Sequence, residues 1–178
     1  MRKRLFLLLL AFISLCQMYA VERTKLNFNG GWLLKVGDFQ GAELANYKDA
    51  GWKQITLPRA FNEKEAFKVS IEQLSDTIMW YRKHFHIQEV GDRKYFIEFE
   101  GVRFGADIWL NGKKVGYTEN GVMASGFDLT PYIIKGENVI AVRVDNSWSY
   151  RERATGQRYQ WNDKNFNANY GGIPKNVF

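Results

Sequence analysis

The sequence predicts an all-β fold, an antiparallel β-sandwich of the jelly-roll type. Three observations predict it. Aromatic residues make up 16% of the 178 positions, with six Trp, nine Tyr and thirteen Phe, and such residues are enriched in strands. Short apolar or alternating runs are separated by turns containing Gly, Asn and Pro. No regular succession of long helices lies between them, which argues against a βαβ architecture. A hydrophobic fraction of 46% supplies a core of useful size, and the length suits one domain.

The first twenty residues stand apart from that domain. Arg2, Lys3 and Arg4 precede an apolar run from Leu5 to Leu15, broken by Ser14, and Gln17-Met18-Tyr19-Ala20 ends on a small residue. This is the layout of a secretory leader cleaved after Ala20, and the run is too short to span a bilayer. Residues 1–20 are therefore expected to be a signal peptide, with 21–178 forming an exported, periplasmic domain. Lipidation at Cys16 is the alternative, although Leu15 stands where a small residue is preferred. Cys16 is the single cysteine, so the mature domain carries no disulfide and relies on its core. Losing the three basic leader residues lowers the formal net charge from +6 to +3. That leaves no basic excess pointing to nucleic acid, and no membrane contact beyond export is expected.

The strands follow in order. Trp32 to Val36 is an apolar run after Gly30-Gly31, and Trp52 to Leu57 alternates and stops at Pro58. Met79 to Ile87 reads as a long strand with Tyr81, Lys83, Phe85 and Ile87 on one face, Lys83 being the dissonant member. Arg93 to Glu100 alternates, with Tyr95, Ile97 and Phe99 on one side. Ala106 to Leu110 and Val115 to Thr118 flank Asn111-Gly112, the strongest short hairpin signal. Asn138 to Asp145 is the next strand. A helical turn or two is expected within Ala42 to Ala50, and another at Thr130-Pro131, ended by Gly136. Ile173 to Phe178 resembles the start of a strand, and the expectation is an unfinished strand at an exposed edge, left where a following domain would begin.

Candidate chemistry is sparse. Glu98 and Glu100 lie roughly 6–7 Å apart on one strand face, within reach of a paired-carboxylate mechanism, yet two acids so placed are ordinarily a solvated face. His84 and His86 share a face as well, but no further His or Cys exists in the mature chain to complete a metal site. No phosphate loop or nucleophile elbow is present. Neither a cofactor nor a metal is expected. The stretch from Ser147 to Tyr170 is the most informative. Trp148, Tyr150, Tyr159, Trp161, Phe166 and Tyr170 interleave there with Arg151, Arg153, Arg158 and Asp163. A long loop of aromatic faces beside amides and carboxylates suits sugar rings and their hydroxyls. Packing against a neighbouring domain is the compatible alternative.

The order of several short motifs resembles the N-terminal domain of glycoside hydrolase family 2. They are Asn29-Gly30-Gly31-Trp32, Ile55-Thr56-Leu57-Pro58, Trp80-Tyr81-Arg82-Lys83, Phe99-Glu100-Gly101-Val102, Ala106 to Val115, Phe127-Asp128-Leu129-Thr130, Gly136-Glu137-Asn138, Val142 to Asn146, and Tyr170-Gly171-Gly172-Ile173. The β-galactosidase branch is the most similar. The resemblance implies a galactose-binding-domain-like jelly roll, followed in the family by an immunoglobulin-like domain and a (β/α)₈ barrel. The barrel holds the two catalytic glutamates. A barrel needs about 200 residues or more, so this chain holds no catalytic pair. The branch's first domain lends the active site an Asn from just before the Trp-Tyr-Arg strand, and an acid from the loop before the Gly-Ile motif. By position these fall at Asp76, a carboxylate in place of an amide, and at Asp163 or Asn165; Trp161 offers a ring face. The implied partners are a β-galactoside or related glycoside and the downstream domains of a parent enzyme. A free-standing carbohydrate-binding module and a structural scaffold domain are the other readings.

Overall fold

Two ten-residue strands paired along their full length form the frame. The computed structural model describes residues 23–61, 76–158 and 171–178; the expected leader over 1–20 lies outside them. In chain order the strands are β1 (Trp32–Val36), β2 (Lys53–Ile55), β3 (Arg59–Ala60), β4 (Ile78–Ile87), β5 (Phe96–Phe99), β6 (Gly105–Leu110), β7 (Lys113–Thr118), β8 (Ser125–Asp128), β9 (Gly136–Asp145) and β10 (Gly172–Ile173). β4 and β9 run antiparallel from Ile78 opposite Asp145 to Ile87 opposite Gly136. They sit at the middle of a six-stranded antiparallel sheet ordered β2-β1-β4-β9-β6-β7. β5 pairs β8, and β3 pairs β10, in the facing layer.

Alternation along the central strands explains the core. Met79 and Tyr81 on β4, and Ile140, Val142 and Val144 on β9, pack with Trp32, Ile97, Phe99, Ile108, Leu110, Ile173 and Val177. Lys83, which sequence alone leaves discordant on that face, donates to the Phe28 carbonyl at 2.8 Å. Its ammonium also lies 3.6 Å from the centre of the Phe28 ring. Burial lowers its pKa to about 8.

The family-like motifs act as fasteners. Asn29 is buried; its amide donates to Asn176 at 3.0 Å and its oxygen accepts Val177 N–H at 2.8 Å. Asn111 and Gly112 take positive φ of 53° and 79°, as a tight two-residue hairpin requires. Asn111 also accepts Val139 N–H at 2.9 Å and donates to Asn138 at 2.8 Å, locking the hairpin to the start of β9. Asp128 accepts the Thr130 N–H at 2.8 Å and so shapes the turn after β8.

Three expectations are corrected. The stretch after Ala42 forms turns rather than helix, closed by Leu44 N–H to Gly41 and Tyr47 N–H to Leu44 carbonyls; it lies across the outer face of the six-stranded sheet. The turn at Thr130-Pro131 closes on the Leu129 carbonyl, and Gly136 opens β9. The C-terminal segment after β10 lies bridged between Phe28 and β5 rather than at an exposed edge. Val177 bridges Phe99 on one side and accepts from Phe28 N–H on the other, and its side chain is fully buried.

On the outer face, Ala42, Trp52, Trp80 and Ala141 form a second buried cluster. Arg82 points into it and is 0% exposed. Its Nε donates to Asp49 Oδ2 at 2.8 Å, and its Nη1 donates to the Ala42 and Leu44 carbonyls. Burial pushes the Asp49 carboxyl up, but Arg82 and His84 outweigh it and hold the pKa below the ordinary carboxylate range. Asp49→Ala leaves the Arg82 charge buried without its partner and is expected to cost about 3 kcal/mol in urea unfolding. A carboxyl with a depressed folded pKa contributes fully above its unfolded pKa of about 4 and loses that contribution as pH falls through the folded value. The native chain should therefore lose stability below about pH 4, with a shallower loss in Asp49→Ala.

Candidate functional site

The register of β4 against β9 brings five chain segments to one end of the sandwich. Asp76 precedes β4, and its Oδ1 accepts the Trp148 N–H at 2.8 Å. Thr77 carbonyl accepts Asn146 N–H at 3.0 Å, and Phe61 N–H donates to Gly171 carbonyl at 3.1 Å. Arg103, just before β6, bridges Gly172. Phe61, Asp76, Arg158 and Gly171, the residues that bound positions 62–75 and 159–170, all belong to this end.

The described part of the informative loop, 147–158, is held down by specific side chains. Asp145 Oδ1 accepts from both Ser147 N–H at 3.0 Å and Ser147 Oγ at 2.6 Å. Tyr150 lies against the backbone of Gly105, where any Cβ would overlap the ring; only glycine permits that approach. The Tyr150 hydroxyl donates to Glu119 Oε1 at 2.5 Å, and the same oxygen accepts Arg153 N–H at 2.9 Å. Burial and the adjacent Glu119 both push the Tyr150 phenol up, so it stays neutral and donates.

Arg153 completes the clamp. Its Nη2 donates to Asp107 Oδ2 at 2.5 Å, and its guanidinium lies 4.6 Å from the Tyr117 ring centre. Lys114 Nζ stands 2.8 Å from Asp107 Oδ1. Burial raises the Asp107 pKa, but the bonds from Arg153 and Lys114 bring it below its usual value. Arg158 donates twice to the Trp148 carbonyl, at 3.0 and 2.7 Å. This folds the loop back on its own start.

Of the residues singled out from sequence, Asp76 is exposed at this end. Its Oδ2 has no partner among the described residues. Trp161, Asp163 and Asn165 lie outside the described residues. Glu98 sits on the outer surface of the second layer, paired with Lys25 at 3.0 Å and Arg23 at 3.3 Å. Glu100 accepts from Asn176 at 2.8 Å. His84 meets Asp49 at 2.7 Å and His86 meets Glu137 at 3.1 Å. Among the described residues no group of three or more His, Cys, Asp or Glu is placed to hold a metal ion.

Sequence reasoning missed Glu119, Asp107 and Tyr117 as supports of the loop. Asp107 carried a readable signal, being a lone acid in the strand Gly-Ala-Asp-Ile-Trp-Leu, with the same parity as Trp109. Glu119 carried none, because its partners lie 31 and 34 positions away.

Comparison with known proteins identifies the fold and the family. Residues 53–176 match the family model described as glycosyl hydrolase 2 galactose-binding domain-like. A β-glucuronidase of Formosa agariphila is 38% identical over 88% of this chain, which covers 17% of that protein. A β-galactosidase of Bacteroides ovatus is 32% identical over 70% of this chain and 16% of its own length. Among solved structures, a β-glucuronidase from glycoside hydrolase family 2 superposes with a TM-score of 0.71 at 34% identity, over 88% of this chain and 18% of its own. The chain thus spans about a sixth of the length of these relatives. Sandwich, fasteners and matched residues together assign the chain to glycoside hydrolase family 2, as its N-terminal galactose-binding-like domain.

Proposed function

We propose that this chain is the non-catalytic, sugar-side domain of a larger β-galactosidase- or β-glucuronidase-like glycosidase. In this reading Asp76 and the loop beginning at Ser147 line the substrate, and a downstream barrel supplies the acid/base and nucleophile. The leader over 1–20 directs the protein to the periplasm.

The observation that carries the reading is the convergence of Asp76 with the loop. Asp76 spends one carboxylate oxygen on Trp148 N–H and is exposed, so among the described residues the second oxygen is left for a hydroxyl. The Glu119 and Asp107 clamp fixes the loop base on the rigid sheet, which keeps any sugar contact it carries pre-organised. Asp163, Asn165 and Trp161 follow that base in sequence and are the proposed further contacts. The carboxylates Glu98 and Glu100 take no part, since each is engaged on the second layer.

Incubated with p-nitrophenyl β-galactoside or β-glucuronide, the chain should release no nitrophenol above buffer, because in this reading the acid/base and the nucleophile belong to the downstream barrel. Turnover abolished by Glu98→Gln or Glu100→Gln would overturn this. In a longer enzyme containing the domain, Asp76→Ala should raise KM or lower turnover about tenfold, the effect of leaving one hydroxyl unpaired. Unchanged kinetics would remove Asp76 from the site. Glu119→Ala removes the shared acceptor of Tyr150 and Arg153. It should speed exchange of the Arg153 amide about tenfold or more without shifting the global unfolding midpoint.

A further inference from the structure

The outer face of the six-stranded sheet holds a cleft that Asp76 does not line. It has a volume of about 450 Å³ and is lined by Asp38, Gln40, Glu43, Trp80, Trp109 and Arg143, among others. Its construction follows from the register. Ala141 on β9 stands between Arg82 on β4 and Trp109 on β6. That small side chain leaves space on the sheet for two indoles to meet. Trp80 and Trp109 stack there with ring centres 5.4 Å apart and planes 27° from parallel. Trp80 is buried and acts as the base, whereas Trp109 is partly exposed. The register between β6 and β7 shifts at Trp109, setting it opposite Lys114. Such bulges re-aim side chains.

The rim is polar and ordered. Asp38 accepts from Trp80 Nε1 at 3.1 Å and takes a two-pronged bond from Arg143, at 2.9 and 2.7 Å. Arg143 also reaches Asp145 at 3.4 Å. Arg143 offsets only one of the carboxylates Asp38, Asp145 and Glu43, so the rim keeps a negative excess that disfavours an anionic ligand. Gln40 is exposed and Glu43 partly so, and together they offer both donors and acceptors at the mouth.

We propose that this cleft is a second carbohydrate-binding site, in which a neutral pyranose ring of a β-linked glycan stacks on Trp109 and its hydroxyls bond to Gln40, Glu43 and the Asp38–Arg143 pair. An aromatic face held rigid by a second ring, beside planar hydrogen-bonding groups, matches the two surfaces of a pyranose: apolar C–H faces and an equatorial belt of hydroxyls. The volume lies within the range of small-ligand sites. Trp109 is pre-stacked, so little side-chain entropy is lost on binding. The proposal does not rest on the reading of Asp76, which does not line the cleft, although Asp145 and Lys114 support both places.

Titration of the isotopically labelled chain with cellotetraose and with β-1,4-galactotetraose tests it. At least one should shift the Trp109 indole N–H resonance saturably, with Kd about millimolar, as a single ring face and a few hydrogen bonds imply. Trp109→Ala should lower affinity about tenfold or more, and Asp76→Ala should leave it unchanged. Should Trp109→Ala not fold, Gln40→Ala at the exposed rim is expected to weaken binding measurably. A Trp109 resonance unmoved by both saccharides overturns the proposal. So does binding that survives Trp109→Ala, or that falls equally with Asp76→Ala. A Trp109 shift that follows protein concentration without sugar also overturns it, and assigns the cleft to contact between copies.

Discussion

The antiparallel register of β4 on β9 is the constraint on which the rest depends. Ten consecutive pairs fix which residues face inward. A slip of one position would turn Tyr81 out of the core and push the Arg82 guanidinium into it. The same register sets the ends of both strands. Asp76 stands just before one, and Asn146 follows the other, so the Trp148 N–H comes within reach of the Asp76 carboxylate. It also sets Trp80 opposite Arg143, one row from Ala141. The loop base and the outer cleft are thus two consequences of a single alignment.

The two faces of the large sheet use different physics. The inner face is a hydrophobic layer against β5, β8 and the C-terminal segment. Its stability comes from apolar burial. The outer face is covered by the turns after Gly37, and buries Arg82 and Trp80 with their polar partners. A buried ion pair returns little net stability but is costly to break. Here it fixes one position for a covering segment that has no strand or helix of its own, and that segment carries Asp38, Gln40 and Glu43.

Much of the fold was legible because its signals are local. The alternation of Met79 to Ile87 and the Asn111-Gly112 turn each need only neighbours in sequence to be read. β3 and β8 were not legible. They are two and four residues long and exist because a distant strand lies beside each, as Gly172 does beside Ala60. The C-terminal segment was misjudged for the same reason. Its apolar residues read equally well as an edge, and the partners that flank it, Phe28 and Phe99, lie far back in the chain. Arg82 likewise reads as the solvated half of an alternating strand until the covering turns are in place.

The loop of the candidate site was legible in its composition, but Asp76 was legible only through resemblance. Asp76 has no local property that marks it, and what makes it notable is its bond to Trp148, 72 positions away. The residues that support the loop are also distributed, with Asp107 on β6, Lys114 and Tyr117 on β7, and Glu119 just after it. This division has a physical basis. The motifs that carry the family likeness, around Asn29, Asn111, Asp128 and Asn138, satisfy buried backbone groups at turns, and such geometry tolerates few replacements. In the proposed function, recognition at the sandwich end needs only acceptors and ring faces on loops, which different side chains can supply in different registers. A fold of this kind therefore announces its family through its fasteners, while its proposed recognition site lies where the sequence is least patterned.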